Sequence, residues 1–148
     1  LDKKIKTPDE LRSRYGLPLI GYVKTDTDAR KGLDGWLDQM RSKSWGAGDT
    51  TENIGSMITA MELPDLLLCV EGGGKKLEDT AAAVCECAKG LKRSASLSGD
   101  GSLIAEAKES DGIILAVEIG GTAYVQIERE LEISRMQNVK VKGVIVVA

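Results

Sequence analysis

The chain has 148 residues, 42% of them hydrophobic and 29% charged, with a formal net charge of -3. That size suits one domain able to bury a real core, and the apolar content lies far from that of disordered chains. The acidic balance argues against a phosphate-tracking nucleic-acid face, no apolar run approaches the ~20 residues of a membrane-spanning helix, and the lack of any histidine removes the commonest metal ligand and general base.

Thr7-Pro8-Asp9-Glu10 combines an N-cap, a proline at the first helical position and a glutamate three residues after the cap. This predicts a helix that stops near Tyr15-Gly16, because glycine suits a left-handed C-cap and Pro18 cannot continue it. A strand over Leu19 to Val23 follows. Leu33, Trp36, Leu37 and Met40 have helical spacing, and after the Gly46-Ala47-Gly48 break Ile54, Met57, Ile58 and Met61 repeat it, with Asp49 and Glu52 as a second capping box. Trp36 reads as core, and Trp45, beside a loop, as half-buried or a partner contact.

Leu66 to Val70 is continuously apolar, as a strand buried on both faces requires, and it runs into Glu71-Gly72-Gly73-Gly74-Lys75-Lys76. The next helix is expected to bury Leu77, Ala81, Val84, Ala88 and Leu91, with Gly90 as terminator. Cys85 and Cys87 lie two apart on it and so face nearly opposite sides, which argues against a disulfide or zinc site there. A short strand is expected over Ala95 to Leu97 and a turn at Gly99-Asp100-Gly101. A short helix from about Ser102 to Glu109 and a fully apolar strand from Gly112 to Val117 come next. Gly120-Gly121-Thr122 is expected to cap a helix carrying Tyr124, Ile127, Leu131 and Ser134 on one side, before a last strand from about Val139 to Val147. Alternating helices and fully apolar strands predict an α/β fold in three layers, with a mostly parallel sheet of about five strands flanked by helices.

Leu1 to Leu11 (LDKKIKTPDEL), followed by Gly16-Leu17-Pro18-Leu19-Ile20-Gly21, resembles a stretch of bacterial polysaccharide chain-length determinant proteins, the polysaccharide co-polymerases, that follows their second transmembrane helix. Ser110 to Val117, Gly121-Thr122 and the run Val139 to Val146 look like the late part of the P-loop tyrosine kinase domains fused to or paired with those proteins. The resemblance implies one cytoplasmic α/β domain over 1-148, with 1-23 as a membrane-proximal helix and first strand and 24-148 as a kinase-like body. It further implies a place at the cytoplasmic face of the bacterial inner membrane, reached through a flank preceding Leu1, and partners in the capsular or exopolysaccharide export machinery or in self-association. Lys3, Lys4 and Lys6 would then lie just inside the membrane, next to anionic lipid; otherwise they are a solvated terminus.

The centre departs from the kinase pattern. A phosphate loop needs G-x-x-x-x-G-K-[ST], so that backbone N–H groups wrap the phosphates, a lysine reaches the outer ones and a hydroxyl binds magnesium. Here the glycines are bunched in Gly72-Gly73-Gly74, Lys75 and Lys76 follow, and Leu77 stands where the hydroxyl belongs. No strand ends in an aspartate pair; the nearest acidic strand ends are Glu71 and Glu118. The expectation is therefore a pseudokinase-like domain, not an enzyme and without a cofactor, in which Gly72, Gly73, Gly74, Lys75 and Lys76 form a degenerate phosphate loop. That segment reads as a flexible turn or as a residual anion site. The alternatives are a divergent ATPase or kinase using Lys75 or Lys76, and a module that senses a nucleotide or sugar phosphate without turnover.

Overall fold

A computed structural model describes residues 3–25 and 48–148. The helix expected around Leu33 to Met40, Trp36 and Trp45 lie outside the described residues.

Helix α1 (Asp9–Tyr15) leads to β1 (Leu19–Val23), and α2 (Thr51–Thr59) to β2 (Leu66–Val70). Then come α3 (Lys75–Cys87), β3 (Leu91–Ala95), a 3-10 turn (Gly101–Leu103), α4 (Ile104–Glu109), β4 (Gly112–Glu118), α5 (Tyr124–Met136) and β5 (Val141–Val147). The five strands form one sheet in the order β1-β5-β4-β2-β3, and every pairing is parallel.

Because side chains alternate across a strand, each apolar strand supplies both faces of this sheet. Leu67, Cys69, Ile113, Leu115, Val117, Val144 and Val146 pack on one side with Leu11 of α1, Ala107 of α4 and Ile127 of α5. Leu66, Leu68, Val70, Ile114, Ala116, Ile145 and Val147 pack on the other with Ile54 and Ile58 of α2 and Leu77, Ala81 and Val84 of α3. The three-layer α/β fold expected from the strand pattern is the one observed.

Local chemistry corrects several expectations. Gly16 ends α1 in the left-handed conformation (φ 66°) as expected, but Thr7 makes no side-chain cap; its carbonyl accepts from Glu10 N–H at 3.4 Å. Thr50, not Asp49, caps α2, its hydroxyl accepting from Asn53 N–H at 3.0 Å. Asp49 Oδ2 instead accepts from Tyr22 N–H at 2.9 Å, tying the entry of α2 to β1. Leu91 belongs to β3 and not to the stripe of α3, because Gly90, with φ 83°, turns the chain first. The strand expected over Ala95 to Leu97 accordingly lies earlier, at Leu91–Ala95. Among the described residues no helix is long and apolar enough to cross a membrane.

Candidate functional site

Neighbours β2 and β4 run in parallel, so the segments after their carboxyl ends meet above the sheet, where open α/β folds usually bind ligands. Glu71 N–H continues the ladder to Ala116 O at 2.9 Å, and the chain then turns through Gly72, Gly73 and Gly74 into Lys75, the first residue of α3. Gly72 has φ 153°, a conformation that favours glycine, and Gly74 is the helix cap.

Gly72 to Gly74 thus lie before a 13-residue helix that opens on Lys75 and Lys76, as the glycines of a phosphate loop do. Their surroundings are different in kind. A Cβ on Gly74 would collide with Glu118 Oε1, and one on Gly121 would come within 3.1 Å of Glu118 Cδ, so the Glu118 carboxylate lies between the two backbones. Lys75 Nζ is bound to Asp79 at 2.7 Å one turn along α3 on a side chain that is 89% exposed, and Lys76 is exposed. Leu77, at the place of the metal-binding hydroxyl, is fully buried in the core.

Thr122 does not cap α5; its hydroxyl donates to Glu71 O at 2.7 Å and accepts from Glu118 N–H at 2.8 Å, bolting the two strand ends together. The helix starts after Ala123 with no side-chain cap. The residue that sequence reading missed is Glu130, fully buried on α5. Its carboxylate accepts from Leu97 N–H and Ser98 N–H, both at 2.8 Å, and from the Ser96 hydroxyl at 3.1 Å, pinning the segment after β3. Its signal in the sequence was its spacing, three residues after Ile127 and three before Ile133 on the buried side of the helix.

Glu71 is also fully buried, with Oε1 accepting from Gln126 Nε2 at 3.3 Å and Oε2 without a hydrogen-bond partner. Burial, and then the neighbouring Glu130 carboxyl, push the Glu71 carboxyl up to about 10, with Ser96 and Gln126 opposing the rise. Glu71 therefore carries a proton at neutral pH, which spares the interior a buried charge.

The strand ends thus present a protonated acid below, a carboxylate against the glycine loop and lysines turned outward. No family model and no curated protein matches the sequence. Among solved structures, however, one described as "BceF Tyrosine Kinase Domain" aligns over 99% of this chain and 99% of its own, with a TM-score of 0.58 and 11% identity. This chain is similar in fold to a tyrosine kinase domain. At that identity what the two share is the fold. Gly99-Asp100-Gly101 and Gly120-Gly121-Thr122 serve as connections: Asp100 caps the 3-10 turn by accepting from Ser102 N–H at 3.1 Å, and Gly120 N–H donates to Ile5 O at 2.9 Å.

Proposed function

We propose that this chain is a noncatalytic scaffold or regulatory domain, a pseudokinase-like member of a capsular or exopolysaccharide chain-length control and export system, acting at the cytoplasmic face of the bacterial membrane. The observation that carries the noncatalytic part is the Glu118 carboxylate lodged against Gly74. A phosphate entering the loop would meet a like charge within a few ångströms, a penalty on the order of 1 to 4 kcal/mol at effective dielectrics between water and a protein surface. The groups that a working phosphate loop uses against this are out of place: Lys75 is paired with Asp79, Lys76 is turned to solvent, and Leu77 offers no hydroxyl to a metal. The export part of the reading rests on the resemblance of the two ends of the sequence, and the kinase-like frame of the neighbouring structure agrees with it.

In this reading the working surfaces contact protein, either export components or further copies of the chain. Co-purification from membranes with the polysaccharide machinery intact, together with sedimentation of the isolated chain, tests it. Retention by export components or concentration-dependent self-association is expected; a chain that stays monomeric and retains none of them contradicts the scaffold role.

A further inference from the structure

A second feature, away from the glycine loop, is a cavity of about 460 Å³ lined by Lys3, Lys6, Glu10, Ser13, Arg14 and Tyr124. It is an open depression on the surface, so a ligand there would stay partly in solvent. Three cations and one carboxylate line it in a chain whose overall charge is negative.

The main chain that carries the two lysines is held in place by backbone hydrogen bonds. The N-terminal arm is stitched over the β4–α5 connection: Ile5 N–H donates to Thr122 O, Gly120 N–H to Ile5 O and Tyr124 N–H to Lys3 O, each at 2.9 Å, and Lys4 forms an antiparallel bridge with Ala123. Ile5 is 1% exposed and anchors this arm in the core, which leaves Lys3 and Lys6 on the outside, facing α1. On α1 the Arg14 guanidinium lies over the Tyr124 ring at 4.2 Å, so its position is fixed by a cation–π contact that leaves its N–H edge free to donate. Glu10 stands one turn before Arg14, yet among the described residues neither it nor any other carboxylate forms an ion pair with Arg14, Lys3 or Lys6. The first residue of α5 also borders the space, and the helix dipole there has the same positive sign.

We propose that this basic cavity is a binding site for a phosphate-bearing anion, with the Arg14 fork and the Lys3 and Lys6 ammonium groups on its oxygens. A planar fork and two point charges around one space suit a compact anion with several oxygens and more than one negative charge. The inference is independent of the noncatalytic reading, which concerns the loop at Gly72 to Lys76.

Isothermal titration with inorganic pyrophosphate, and flotation with phosphatidylglycerol vesicles against phosphatidylcholine vesicles, test it on the wild-type chain and on variants shown to be folded by circular dichroism. Arg14→Gln and the double variant Lys3→Gln/Lys6→Gln are each expected to weaken binding about tenfold or more, as loss of a charged hydrogen bond does. Glu10→Gln is expected to tighten it roughly two- to fivefold, a gain that damage to the fold cannot imitate. Lys75→Ala/Lys76→Ala leaves it unchanged, which separates this site from the glycine loop. Arg14-dependent pyrophosphate binding places the phosphate in a soluble ligand, and Arg14-dependent flotation without pyrophosphate binding places it in a lipid headgroup; either supports the site. Absence of both, or binding indifferent to Arg14→Gln, overturns it.

Discussion

Glu71 and Glu130 show how far a buried charge can depart from what local sequence suggests. Glu71 holds its proton first because it is buried and then because the Glu130 carboxyl, which accepts from three donors, lies beside it. The consequence for stability has a definite sign. In the unfolded chain Glu71 loses its proton near pH 4.5, whereas in the fold it keeps it up to about 10, so the folded state binds more protons between these limits. The contribution of Glu71 is therefore greatest below about pH 4.5 and declines as pH rises toward 10, by at most about 1.4 kcal/mol per unit. Glu71→Gln, which imitates the protonated acid, should raise the unfolding free energy at pH 8 and flatten its fall between pH 5 and 9; chemical denaturation across that range measures it. Glu130→Gln should instead destabilise by about 1–3 kcal/mol, because an amide nitrogen turned toward Leu97 N–H or Ser98 N–H leaves buried donors unpaired. If both substitutions shift stability in the same direction, the assignment of the proton is wrong.

At the scale of elements, the apolar strands were legible because Leu66–Val70 and Gly112–Glu118 are paired on both sides and covered on both faces, so nearly every position is apolar. The edge strand β3 was not: Leu-Lys-Arg-Ser-Ala has one neighbour and exposes Lys92 and Arg93, leaving no apolar run to read. The loop at Gly72 to Lys76 could be placed from its glycines, but its chemistry depends on Glu118, which only the parallel pairing of β2 and β4 brings near it. Packing of α2 on α3 depends on another residue that periodicity passes over. A Cβ on Gly55 would lie 2.5 Å from Cys87 Cβ and 2.8 Å from its carbonyl carbon, so the helices approach through a glycine. Alanine there gains about 1 kcal/mol of helix propensity but forces backbone apart at a typical cost of 1–3 kcal/mol. Since the opposing atoms include main chain, the cost prevails: Gly55→Ala should lower the melting temperature by a few degrees in a thermal scan, and an increase would mean that α3 can withdraw freely.

For the whole molecule, the sheet order β1-β5-β4-β2-β3 sets the carboxyl ends of β2 and β4 side by side. There the N-terminal arm crosses the β4–α5 connection, and Thr122 joins Glu71 to Glu118. The fold is similar to that of a tyrosine kinase domain, and in the noncatalytic reading proposed above the Glu118 carboxylate takes the space beside Gly74 that a phosphate would need. The noncatalytic claim is tested most directly by isothermal titration of magnesium-bound ATP into the chain, run beside a hydrolysis assay. The account predicts neither binding at the glycine loop nor phosphate release. Saturable binding that disappears in Lys75→Ala/Lys76→Ala, accompanied by hydrolysis, would contradict it.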